Sequence, residues 1–84
     1  MIEFTFKVTE DGGEPRDLIV RIYEPTRSPP EENWPWSIAV EVDGRTTTTC
    51  GMDPLDAIEN GSQHAARLLR ILHENALDPP LEPR

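Results

Sequence analysis

Apolar and polar residues alternate from the start of the chain: Ile2, Phe4, Phe6 and Val8 are separated by Glu3, Thr5, Lys7 and Thr9. A period of two puts all four apolar side chains on one side of an extended backbone, so this stretch predicts a half-buried β-strand. Residues 10–16 (EDGGEPR) hold two glycines and a proline and read as a turn. Leu18, Val20 and Ile22 then point one way, with Ile19, Arg21 and Tyr23 on the other, giving a second strand and a hairpin. Residues 25–35 (PTRSPPEENWP) show no period and carry four prolines, which remove ladder donors, and predict a loop. Trp36, Ile38, Val40 and Val42 alternate with Ser37, Ala39 and Glu41 as a third strand. Asp43-Gly44 is the signature of a two-residue type I′ turn into a fourth strand, residues 45–50. The consecutive threonines there, Thr46 to Thr49, fit a pleated strand but bury little, which suggests a sheet edge or a wetted face.

After Gly51 the period lengthens to that of a helix, predicted from Asp53 to about residue 75. Asp53 is a good N-cap, Pro54 suits the first helical position, and Asp56 can reach back as an acidic capping box. Acids at the start (Asp53, Asp56, Glu59) and Arg67, Arg70 and His73 toward the end follow the helix dipole. Leu55, Ile58, Ser62, Ala65, Leu69, Leu72 and Ala76 fall on one stripe, with Gly61, Ala66 and Leu68 at its margins. Gly61, Ser62 and Ala65 let the helix backbone approach the sheet where Phe or Trp side chains need room; a merely tolerated glycine is the alternative.

The expected fold is α+β: a four-stranded antiparallel meander, β-β-β-β-α, with one C-terminal helix packed on one face. Phe4, Phe6, Val20, Ile22, Ile38 and Val40 would be buried against the helical stripe. Residues 1–77 form a single domain, and 78–84 a proline-rich tail expected to be disordered. Eighty-four residues support one modest core.

Charge narrows the function classes. Sixteen acids against eight bases give a net charge of -8, which opposes phosphate backbones and anionic membrane surfaces. It leaves room for a basic protein partner. No apolar run approaches 18 residues and the start lacks a charged-then-apolar leader, so the expected address is cytoplasmic, with no membrane partner. The lone Cys50 cannot form an intrachain disulfide.

Candidate chemistry is thin. Cys50 precedes the helix by three residues, but no His–Asn or His–Asp pair can be inferred to activate it, and a structural cysteine is the simpler reading. His64 and His73 are nine apart, which on a helix points them in opposite directions, so they cannot share a metal. Capping and dipole matching account for Asp53, Asp56 and Glu59, and Gly12-Gly13 lacks the continuation of a phosphate loop. The reading is of a non-enzyme with no catalytic residue, no metal site and no cofactor. A candidate interaction surface remains: Trp34 and Trp36 beside the proline-rich loop, Tyr23 at the end of the second strand, and Ile71 on the polar side of the helix. Trp36 as core, with Trp34 closing the sheet edge, is the competing reading. A homodimer through the sheet face carrying Ile19, Tyr23 and Ala39, or through an edge, also fits.

Tyr23-x-Pro25, the Trp34/Trp36 pair, Val42-x-Gly44 and above all Gly51-x-Asp53-x-Leu55-x-Ala57 resemble a group of short, uncharacterised bacterial proteins. In these a domain of unknown function runs strands first and a single helix last, opened by Gly-x-Asp-x-Leu-x-Ala-Leu. The likeness spans most of residues 2–72, with Pro54 and Asp56 where Ser and Gln are usual, and implies the fold alone. Gly51 to Ala57, followed by a helix and a proline-rich end, is also similar to the HicB-type antitoxins. That likeness implies an acidic partner of a small RNA-cleaving toxin, although the proline–glycine–cysteine turn of their middle strands is absent. The function expected is therefore a small acidic protein-interaction or self-associating domain, with an antitoxin or immunity-type protein neutralising a basic toxin as the alternative.

Overall fold

The computed structural model describes residues 1–10, 12–73 and 77–78. Four seven-residue strands stand where the alternation predicts them: β1 (Ile2–Val8), β2 (Arg16–Ile22), β4 (Trp36–Val42) and β5 (Arg45–Gly51). Two further strands of two residues each, β3 (Thr26–Arg27) and β6 (Leu77–Asp78), are additions to the expected four. One helix, α1 (Pro54–His73), follows β5. All pairings are antiparallel, in the lateral order β5–β4–β2–β1–β6, and β3 lies beside β4 on the same edge as β2.

The short strands correct two expectations. Pro25 interrupts the pairing of β2, after which Thr26 and Arg27 rejoin the ladder opposite Ser37 and Trp36, so the loop is shorter than predicted. Asp78, placed in the tail by its prolines, pairs with Lys7 at the free side of β1. The rest of that tail, residues 79–84, and the helix extension to residue 75 with Ala76 of the stripe lie outside the described residues. The β4–β5 turn has φ 51° at Asp43 and 85° at Gly44, the left-handed pair that a type I′ turn requires.

The helix start follows its sequence closely. Asp53 Oδ1 accepts the Asp56 N–H at 2.7 Å, and Asp56 Oδ2 accepts the Met52 N–H at 2.8 Å. The reach back goes one residue further than in a standard capping box. Asn60 Nδ2 donates to the Cys50 carbonyl at 2.7 Å, tying the second turn to the end of β5.

The buried face of α1 differs from the predicted stripe. Ala57, Gly61, Ala65 and Leu69 are buried, whereas Leu55 is 77% exposed and Leu72 46% exposed. The helix packs through its smallest side chains because they admit its backbone closest to the sheet. A Cβ on Gly61 would lie 2.9 Å from Ile38 Cγ2 and 3.2 Å from Val40 Cγ1. The close approach is therefore real, but over Ile38 and Val40 rather than over Phe or Trp.

Only Met52 and Asp53 separate β5 from α1. So short a link folds the helix back over β5 and β4, and it barely reaches β2. The core gathers there, with Val8, Leu18, Val20, Ile22, Ile38, Val40 and Val42 under Ala57, Ala65 and Leu69. Phe4 and Phe6, expected in that core, are not: Phe6 is half-buried and Phe4 is 46% exposed.

Candidate interaction surface

The off-centre helix leaves the Ile2 and Phe4 end of the apolar face of β1 uncovered, while Val8 on β1 and Leu18, Val20 and Ile22 on β2 are buried. A cleft of about 250 Å³ opens between sheet and helix, walled by Phe4, Phe6, Val20 and Ile22 from the sheet and by Ala65, Ala66 and Leu69 from the helix. Ser62 is its one polar lining residue. Beside it Ile2 is 54% exposed, so apolar surface continues to the start of β1.

The opposite face of the sheet is tied up in charge pairs. Arg21 reaches Glu3 at 2.9 Å and Glu41 at 2.6 Å, Lys7 bonds Asp17, and the Tyr23 hydroxyl donates to Glu41 at 3.2 Å. Both carboxylates favour the charged guanidinium, which pushes the Arg21 pKa up, with the Glu3 hydrogen bond the largest cause. A second cluster closes the Asp43 end of the sheet. Arg16 spans Asp43 with two bonds of 3.0 Å and Glu10 with one of 3.1 Å. His73 Nδ1 lies 2.9 Å from Glu10 Oε1 without the angle for a hydrogen bond, and its Nε2 is 3.6 Å from Asp43. The Arg16 hydrogen bond holds the Asp43 carboxyl below its usual range against a smaller effect of burial, with Coulombic help from Arg16, His73 and Arg45.

The four residues singled out from the sequence are dispersed. Trp36 is half-buried against the core, with the Arg27 guanidinium 5.4 Å from its ring centroid. Trp34 is exposed in the 28–35 loop, Tyr23 stands on the face away from the helix, and Ile71 is 70% exposed on the outer side of α1. Phe4, Ala66 and Leu69, which line the cleft, and Ile2 beside it were not among them. The signal was the two-residue link after Gly51, which decides which strands the helix can cover.

Cys50 is half-buried in a second recess of similar volume, with Ser28, Pro29, Glu32, Ser37 and Thr48, on the face opposite α1. His64 is half-buried with its Nε2 enclosed and without a hydrogen bond. Among the described residues no three His, Cys, Asp or Glu side chains are grouped to hold a metal ion, and no helix is long and apolar enough to cross a membrane.

Fold and surface together define a class: an α+β domain in which a single helix covers about half of one face of an antiparallel sheet. Comparison with protein-family models, with curated proteins and with solved structures returned no match.

Proposed function

We propose that the chain is a small non-enzymatic protein-interaction domain that binds through the apolar cleft between β1, β2 and α1. The supporting observation is the open aromatic wall: Phe4 and Ile2 stay about half in water beside a cleft lined almost wholly by carbon. A chain this short has few large side chains to bury, and leaving these two uncovered forgoes about 1–2 kcal/mol of burial. Binding recovers it. The test uses the dye 1-anilinonaphthalene-8-sulfonate at neutral pH. Its fluorescence rises with the folded protein and falls severalfold with Ala66→Glu, which places a carboxylate in the cleft wall. Equal dye response from wild type and variant, at matched melting temperature, removes the cleft as a binding surface.

The net charge of -8 favours a second reading, an antitoxin or immunity-type protein that neutralises a basic toxin. Its check is co-purification with the product of an adjacent gene encoding a small basic protein, in a complex that weakens as salt is raised.

A further inference from the structure

Asn60 and Gly61 are neighbours in the second turn of α1, and the fold uses both. Gly61 lets the helix settle on the sheet, since a Cβ there would lie 2.9 Å from Ile38 Cγ2. Asn60 is half-buried beside the end of β5, and its Nδ2 donates to the Cys50 carbonyl at 2.7 Å. Packing and tie together thus set an asparagine directly before a glycine. In that dipeptide the backbone attacks the side chain most readily, because glycine puts no Cβ in the way of the incoming nitrogen.

The reaction needs only water. The Gly61 peptide nitrogen bonds to the Asn60 side-chain carbonyl carbon, Cγ, and closes a five-membered succinimide. The Cγ–Nδ2 bond breaks, and the amide leaves as ammonia with the proton from the Gly61 nitrogen. Water then opens the ring at either carbonyl, giving aspartate or isoaspartate. The native helix withholds each requirement. Ring closure demands a ψ at Asn60 far from the roughly -40° of a helix. The Gly61 N–H, four residues after Ala57 in a continuous helix, is engaged in the ladder. The Asn60 carboxamide is held on Cys50.

We propose that Asn60-Gly61 is a spontaneous deamidation site that the contact between α1 and β5 keeps shut, so that opening of the helix modifies the chain irreversibly. The product does not fit where it forms. An aspartate at position 60 turns a carboxylate to the Cys50 carbonyl, two acceptors facing in a half-buried place. An isoaspartate routes the chain through its side-chain carbon and adds a backbone atom within the helix, which breaks the hydrogen-bond ladder there. Each opening therefore risks removing a molecule from the folded population, and the pair limits how long the domain lasts. The site lies toward β5, whereas Ser62 and Ala66 face the cleft, so it does not depend on the binding reading.

The test holds wild-type protein at mildly alkaline pH, with and without urea above its unfolding midpoint. Peptide mass and fragmentation follow conversion at residue 60. Conversion is expected to be at least about tenfold slower without urea. Leu69→Ala, which loosens α1 from the sheet, should speed it in buffer and leave the rate in urea unchanged. Asn60→Gln, whose side chain is one carbon too long for the five-membered ring, should stay unmodified over the same period. Converted chains returned to buffer should unfold at lower urea than unconverted chains from the same sample. Equal rates with and without urea overturn the proposal, because the fold then guards nothing. An unreacted Asn60 in urea overturns it too, as do converted chains that regain the wild-type midpoint.

Discussion

At Gly51 a methyl group has nowhere to go: its Cβ would fall 2.4 Å from the Ala57 nitrogen and 2.8 Å from the Ala57 Cα. Those are backbone atoms of the first helical turn, so Gly51→Ala must lift the helix start off β5. A loss of ~3 kcal/mol or more in urea unfolding is expected, near the upper end of overpacking penalties. Gly61→Ala meets side-chain methyls of Ile38 and Val40 instead, both on stiff branched residues. Overpacking there opposes a helix-propensity gain of about 1 kcal/mol. The variant should be less stable by ~1 kcal/mol, and a gain would contradict the close approach. Asp43 is a pH-dependent residue of known sign. Its carboxyl is held below its usual range by Arg16, so its contribution is complete above that range and disappears as pH falls through the lowered value. The pair is largely exposed, and Asp43→Asn, which keeps the left-handed turn, should cost only ~0.5 kcal/mol at pH 7. Urea midpoints at pH 7 and pH 3 should differ less in the variant than in the wild type. Asp43 and Gly44 were legible as turn residues; that Gly51 lies against Ala57, and Gly61 against Ile38 and Val40, was not, because these contacts depend on how the helix settles on the sheet.

At the scale of elements, α1 shows where pattern reading holds and where it turns. Its cap and start are written locally in Asp53, Pro54 and Asp56, since capping needs only neighbours within one turn. Its buried face is not local. Leu55 belongs to the apolar stripe by spacing yet stands in water, and Ala57, off that stripe, is sealed. Leu55→Ala should therefore change stability by less than about 0.5 kcal/mol. Leu69→Ala, at a buried position, should cost about 2–4 kcal/mol. Equal losses in thermal unfolding would put the predicted stripe back on the sheet. Among the strands, the four long ones declared themselves by alternation and by the Asp43-Gly44 turn. The two-residue strands β3 and β6 could not, because a segment that short has no period; only a partner defines it.

For the whole molecule, charge and apolar surface make opposite demands. Two chains of -8 repel, while the β1 strand offers apolar surface at Ile2 and Phe4, and its one acid, Glu3, shares the Arg21 guanidinium with Glu41. Raising NaCl from roughly 20 to roughly 300 mM, which shortens the screening length severalfold, should tighten any self-association through apolar surface, read by sedimentation; a complex held by opposite charges would loosen. The choice between a full lid and a half lid over the sheet is made by the link between Gly51 and Pro54. Two residues cannot carry a helix from an edge strand to the far side of the sheet, so Phe4 of β1 stays about half in water. Strand positions, the tight turn, the helix and its cap, and the α+β class follow from the sequence alone, because each is set by spacing within a few residues. Which helical face is buried, that Phe4 stays outside the core, and that the Glu3–Thr5 edge lies beside an apolar cleft were decided only in three dimensions. They depend on where β5 delivers the helix and on how closely Gly61 lets it settle, and neither is a property of any one segment.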